Sequence, residues 1–260
     1  DRDGKFQLAS LAESAFDPLS RSCRFMLLEE AHHMFVGESG VGRVVERSAQ
    51  RSSEHDTLEI GRHGGIPLAM IQKWINFHFS ICLDLFGQEK STNAANFYSM
   101  GLKGRYNENK IEDDHLLNND GFLVPDLQNG KVIMSEISAL TAINERLRND
   151  YRDDCQKGVD RWNRIIEKAN VDFKLTLPHI AFNRNIGTFQ DSNFDLEGNL
   201  ISAEEFAANK DTWMPNSKDR EFVKSLMQRV VEPGKIAGWI APPSRGIQGK
   251  DIEYEYVILH

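Results

Sequence analysis

The stretch "LLEEAHHMF", residues 27–35, holds the Glu-x-x-His spacing twice, as Glu29 with His32 and as Glu30 with His33. Residues three apart share one face of an α-helix, so either pair can offer a carboxylate and an imidazole to one cation. A further copy stands in "KIEDDHLL", where Glu112 precedes His115 by the same spacing. Taken singly, such a pair reads as a buried Glu–His hydrogen bond or a helix-surface pair. Two of them on two helices, completed by single carboxylates from other helices, give the ligand arithmetic of a di-iron carboxylate bundle. Hard carboxylate oxygens bridge and stabilise oxidised iron, while neutral imidazoles leave positions open for dioxygen. Zinc suits the residues less well, because structural zinc sites favour thiolates and Cys23, Cys82 and Cys155 have no ligand spacing.

A helical wheel at roughly 100° per residue separates the overlapping pairs. Glu30 and His33 share an arc with Leu19, Cys23, Met26, Leu27, Met34 and Gly37, which is otherwise apolar or small. Glu29 and His32 lie with Phe25 and Val36 but also with Arg21 and Ser22. The first arc reads as bundle interior, so Glu30 and His33 are the expected ligands. Asp84 is the one acid in the apolar stretch 67–87 and leads as a further ligand, with His78 its rival. The carboxylate of the first helix is expected upstream of Glu30 near the start of the chain, as Asp1, Asp3 or a residue preceding them; Glu13 sits too close to the next helix. Glu29, Asp113 and Asp114 are placed to orient ligating histidines, although for Asp113 a solvated helix face is the better reading. Glu108 reads as an extra ligand or as an internal partner of Arg105.

These residues need helices to position them. Residues 5–15 are apolar-periodic, and Asp17-Pro18 is a helix-start signal for a helix over 18–36 that ends at Gly37. "GESGVGRVVERSAQRSSEHD" reads as a loop, a short helix and a polar tract, and both "GESGVGR" and "GRHGG" read as helix ends and turns rather than phosphate loops. The apolar segment at 67–87 and the stretch 92–117 read as two further helices. After residue 118, "FLVPDLQNGKVIM" places an Asn-Gly hairpin turn between apolar runs. Ile137, Leu140, Ile143, Leu147, Tyr151, Cys155, Val159 and Trp162 then recur at helical spacing, predicting a long amphipathic helix of about eight turns. From about residue 170 the chain reads as irregular, and His179 has no visible catalytic partner. The expectation is a mainly α chain, with a helical bundle over 1–122 whose first helix is partly missing, and 123–260 as hairpin, long helix and irregular extension.

The chain has 260 residues and a formal net charge of −8, which argues against a general nucleic-acid binder or an anionic membrane surface as partner. No stretch is apolar enough to span a bilayer, and the three cysteines suggest no disulfide framework, so a cytoplasmic location is expected. The missing initiator Met suggests a piece of a longer protein.

Over nearly the whole length the residues resemble the oxygenase components of benzoyl-CoA 2,3-epoxidases. The stretches that carry the resemblance are "DRDGKFQLASLAESAFDPLSR", "CRFMLLEEAHHMFVGESGVGRVV", "GLKGRYNENKIEDDH", "NERLRNDYRDDCQKGVDRWNRIIEKA", "LTLPHIAFNRNIG" and "PGKIAGWIAPPSRGI". The resemblance implies a ferritin-like bundle with two iron ions. It implies insertion of one atom of O2 into the ring of benzoyl-CoA to give the 2,3-epoxide. Electrons would come from a separate reductase that carries NADPH, FAD and an iron–sulfur centre. Glu30, His33, Glu112 and His115 carry over by motif and Asp84 by position. Met26, Met34 and Phe97 are candidates to line the substrate pocket. The alternative is a ferritin-like metal-binding or scaffold protein without oxygenase activity, and beyond it a metal-free helical protein with buried Glu–His pairs.

Overall fold

Helix carries most of the regular structure, as the periodicities require. The computed structural model describes residues 2–114, 117, 120–227 and 229–257. The helices are α1 (Arg2–Ala12), α2 (Asp17–His55), α3 (Leu68–Asp84), α4 (Thr92–Ser99), α5 (Ile143–Lys168), α6 (Ala203–Trp213) and α7 (Ser217–Leu226). Extended structure among the described residues is confined to three two-stranded pairs: β1 (Gly121–Gln128) with β2 (Lys131–Ser138), β3 (Asn193–Phe194) with β4 (Leu200–Ile201), and β5 (Lys235–Ala237) with β6 (Glu255–Val257). The fold is mainly α. No helix among the described residues is long and apolar enough to cross a membrane.

Two compact units interleave along the chain. The first comprises Asp1–Val36, His78–Gln156 and Pro178–Ala208; the second comprises Gly37–Phe77, Lys157–Leu177 and Asn209–His260. Each unit takes residues from both sides of position 122, so neither is a consecutive stretch.

In the first unit, α1 passes into α2 through a short turn around Ser14 and Phe16, where the Ser20 hydroxyl donates to the Ala12 carbonyl at 2.5 Å. Tyr151 of α5 is the centre of an aromatic cluster. Phe79 stacks on it at 5.9 Å, Phe86 lies at 5.2 Å, and Phe6 of α1 meets it edge-on at 6.4 Å. A smaller core joins Ala181, Phe189 and Phe194 to Leu127 and Val132 of the hairpin. The hairpin forms where the Asn-Gly signal puts it. Asn129 and Gly130 both take positive φ, 51° and 73°, and the register pairs Gln128 with Lys131.

In the second unit, Val45 and Ala49 of α2 pack with Ile66, Leu68, Ile71, Val159, Ile166, Leu175 and Leu226. Arg47 is buried there, donating to the Gly238 carbonyl at 2.9 Å and stacking on the Tyr256 ring at 3.8 Å. Asn216 and Asp219 form a capping box that starts α7.

Four expectations are corrected. α2 does not end at Gly37 but runs on to His55, because Gly40 and Gly42 are tolerated inside it and Val45 and Ala49 supply a buried stripe beyond them. A helix over 92–117 is not formed: α4 stops at Ser99 and Gly101 turns left-handed at φ +68°. The long helix begins at Ile143, with Ile137 belonging to β2. The region after 170 is more regular than its prolines suggest, since it holds α6, α7 and β3 to β6.

Candidate functional site

The Glu30 carboxylate lies against the first turn of α1. A Cβ at Gly4 would stand 3.3 Å from Glu30 Cδ and 3.4 Å from its Oε1, so glycine is what lets α1 approach the carboxylate this closely. A cavity of about 370 Å³ opens beside it. Ala9 and Ala12 of α1 and Leu27, Ala31 and Met34 of α2 form its small and apolar wall. Lys5, Arg24 and Glu13 bring charge to it, and Tyr106, Asn107 and Asn109 close it from the loop after α4.

Within this cavity Glu30 is unusual. Its side chain is 18% exposed, yet its Oε2 is buried with no hydrogen-bond partner among the described residues. A carboxylate oxygen buried without a donor costs about 1–3 kcal/mol or more, so the position favours a cation. His33 stands one turn on, with Nδ1 4.0 Å from Glu30 Oε1. That is too long for a hydrogen bond, and the ring is half exposed. Glu29 and His32 are exposed, and of the two carboxylates it is Glu30 that turns inward, as the wheel expects.

The loop after α4 is built on a buried guanidinium. Arg105 is 1% exposed and donates through Nε to both oxygens of Glu108 at 3.0 Å; its Nη atoms reach Glu108 and also Asp113, at 2.6 and 3.0 Å. Burial opposes that charge, but the hydrogen bonds that Arg105 donates to Asp113 and Glu108 hold its pKa above its ordinary value. Tyr98 donates to Glu108 at 3.1 Å, and burial together with the Glu108 charge pushes its hydroxyl up to about 12. Glu108 is therefore the internal partner of Arg105. Asp113, expected on a solvated face, is its second partner. Gly104 packs directly on α1, with its N–H donating to the Ser10 carbonyl at 2.7 Å.

This loop removes the helical basis of the second motif. Glu112 is exposed, outside any helix, and Asp114 is left-handed at φ 52°. The spacing that would put Glu112 and His115 on one face presupposes a helix through Glu112, which the described residues 111–114 do not form. His115 and Asp1 lie outside the described residues. Asp3 sits in the first turn of α1, next to Gly4.

Asp84 is spent on other partners. Its Oδ1 accepts from Arg184 Nε at 2.6 Å; its Oδ2 accepts from the Asn185 N–H at 2.9 Å and side-chain amide at 3.1 Å. Arg184 also reaches Glu89 at 3.2 Å, and Glu89 accepts from Arg148 at 3.2 Å, which in turn pairs with Glu145. All five charged residues are buried. Burial pushes the Glu145 carboxyl up and the Arg148 guanidinium down, each against the pull of its partners. His78, the rival ligand, is exposed. Among the described residues, no three His, Cys, Asp or Glu side chains stand close enough to hold a metal ion. Glu30 and His33 fit half of a carboxylate–imidazole site; Asp84 and Glu112 as placed do not complete it. Of the candidate pocket residues, Met34 lines the cavity, while Met26 and Phe97 are each 49% exposed and do not.

Sequence reasoning does not single out Arg184, Glu89 and Arg148. Glu145 and Arg148 stand three apart on a helix and are legible as a pair, but Arg184 sits in an irregular segment whose partners are some hundred residues away. Nothing local announces them.

No family model matches the chain. It is 52% identical over 260 residues, 99% of its own length, to the benzoyl-CoA oxygenase component B of Aromatoleum evansii. The chain spans about half the length of that relative, 55% of it. The match takes in Glu30, the cavity wall and the Arg105 loop alike, because it covers almost every residue present.

Proposed function

We propose that this chain carries part of an oxygenase that inserts one atom of O2 into the ring of benzoyl-CoA to give the 2,3-epoxide, a reading supported by its match to the oxygenase component. Electrons would reach it from a separate NADPH-dependent reductase with FAD and an iron–sulfur centre. The observation that carries the reading is the buried Glu30 oxygen at the cavity wall, without a hydrogen-bond partner among the described residues and one helical turn from His33. A carboxylate and an imidazole so placed suit one iron of a two-iron centre in a ferritin-like bundle, where bound iron would supply the activation of dioxygen. The remaining ligands are not gathered beside them among the described residues.

The chain's own residues support the reading in simpler ways. Ala9, Ala12 and Ala31 leave room where bulkier side chains would fill the cavity, and Leu27 and Met34 keep one wall dry. Lys5 and Arg24 line the same cavity beside the acids Glu13 and Glu30, so its wall offers polar groups of both signs. Gly4 holds α1 close against Glu30.

Anaerobic Fe(II) loading of the chain tests the proposal. Glu30→Ala should abolish iron uptake while Glu29→Ala largely spares it, with circular dichroism unchanged in both. Equal uptake by the wild type and Glu30→Ala would overturn the assignment. Benzoyl-CoA-dependent oxygen consumption in the presence of a reductase then separates an oxygenase from a metal-binding scaffold, which would take up iron but consume no oxygen.

A further inference from the structure

The buried charges of the first unit do not balance where α3, α5 and the segment around residue 184 meet. Asp84, Glu89 and Glu145 would carry three negative charges, and Arg148 and Arg184 supply two positive ones. All five are buried, with Glu145 and Arg148 each only 1% exposed. In such a place a carboxyl takes a proton rather than keep an unanswered charge. Hydrogen bonding shows which of the three it is. The Asp84 carboxylate accepts from Arg184 Nε at 2.6 Å and from the Asn185 N–H and side-chain amide at 2.9 and 3.1 Å. Glu89 accepts from Arg148 Nη1 and Arg184 Nη2 at 3.2 Å each and from the Thr188 N–H at 2.8 Å. Each of these donors favours the charged form. Among the described residues Glu145 accepts from Arg148 alone, through the same Nη1 that serves Glu89. The charged groups that face Glu145 are Arg148 on its own helix, Glu89 after α3 and Arg184; burial outweighs the two arginines and pushes its carboxyl up.

We infer that Glu145 is a carboxylic acid in the folded chain at neutral pH, and that loss of its proton unlatches the segment 184–188 from α3 and α5. An ionised Glu145 would compete with Glu89 for the shared Arg148 Nη1 and leave the cluster one negative charge in excess. Glu89 is what holds the Thr188 N–H, and with Asp84 it holds Arg184, so the strain falls on that segment first. The direction in pH follows. An unfolded glutamate loses its proton around 4.5, while the folded one keeps it to higher pH. This part of the stability is therefore full below 4.5 and lost as pH rises through the folded value. The inference concerns this buried cluster alone and does not rest on the oxygenase reading.

Amide hydrogen exchange tests it, because the Asn185 and Thr188 N–H groups are the ones that Asp84 and Glu89 hold. An opening that releases one proton becomes about 10-fold easier per pH unit. In the wild-type chain the protection factors of these two amides, corrected for intrinsic exchange, should fall by about 10-fold per pH unit above neutral pH, levelling once the folded Glu145 itself ionises. Glu145→Gln keeps the shape but cannot ionise, and its protection should stay constant over the same range. Infrared spectra give a second reading that needs no variant. At neutral pH the wild-type chain should show the C=O stretch of a buried protonated carboxyl, lost on alkaline titration. Protection that is flat with pH in the wild type, or that falls equally in Glu145→Gln, would overturn the inference. So would a neutral-pH wild-type spectrum without that band.

Discussion

Arg184→Met is the perturbation that best separates a structural from a metal-binding role for Asp84. The guanidinium is 1% exposed and makes four hydrogen bonds: to Asp84 at 2.6 Å, to Glu89 at 3.2 Å, and to the carbonyls of Ile180 and Ile186 at 3.1 Å each. The buried cluster holds three acids, Asp84, Glu89 and Glu145, against two guanidiniums, Arg148 and Arg184. Removing Arg184 leaves those three acids to a single cation. Breaking a buried pair from one side typically costs about 3–5 kcal/mol, because a charge is left in a poorly solvating place. At roughly 2–4 °C per kcal/mol for a chain of this size, the melting temperature should fall by about 6–20 °C. Thermal unfolding followed by circular dichroism and urea unfolding both read the change. The Asp84→Asn and Arg184→Met double-mutant cycle should return a coupling of about 1–3 kcal/mol. A loss below about 1 kcal/mol for Arg184→Met, with no coupling to Asp84, would refute the ion-pair reading. Loss of iron uptake in Arg184→Met without loss of stability would do so equally.

Other outcomes follow from single positions. Gly187 has φ +89° and any Cβ there would overlap the Glu89 carboxylate, so Gly187→Ala should destabilise by more than the ~1 kcal/mol of backbone strain alone, read by urea midpoint. Gly40 lies inside α2 with open space for 4 Å around the position a Cβ would take, so Gly40→Ala should stabilise by about 0.5–1 kcal/mol; destabilisation would mean that the helix is interrupted there. Burial lowers the His179 pKa from 6.5, against the opposing pull of Asp195. The unfolded chain therefore takes up the proton first: the contribution to stability is full above 6.5 and is lost as pH falls through the folded value. His179→Gln should flatten stability against pH in that window. Gly4→Val should displace the Glu30 carboxylate and weaken iron uptake without unfolding α1, checked by metal analysis beside circular dichroism.

What can be read from sequence follows physical range. The hairpin is legible because an Asn-Gly turn is specified by two adjacent residues, and the inward turn of Glu30 because a helical face is specified within about two turns. The end of α2 is misplaced because glycines at 37, 40 and 42 look like punctuation, whereas the burial of Val45 and Ala49 is decided by distant residues such as Ile166 and Leu175. The stretch 92–117 fails for the opposite reason. Its helical spacing is good, but Gly101, Gly104 and the left-handed Asn107 give the backbone another route, and Arg105 gathers Glu108 and Asp113 around itself. A motif defined by i, i+3 spacing inherits every uncertainty of the helix it assumes.

The placement of charge in the first unit bears on Glu30 more directly than the motif does. Its buried acids among the described residues are Asp84, Glu89, Glu108 and Glu145, and each of them faces an arginine: Arg184, Arg148 or Arg105. A buried carboxylate is tolerated when a cation and hydrogen-bond donors answer it, and in these four places the chain supplies both. Glu30 is treated differently. Its inner oxygen is buried with no donor among the described residues, and α1 presses on it through a glycine rather than a basic side chain. On the proposed reading, a fold that pairs its buried carboxylates with such regularity would leave this partly buried one for a cation from outside the chain, with His33 the neighbouring group able to share it.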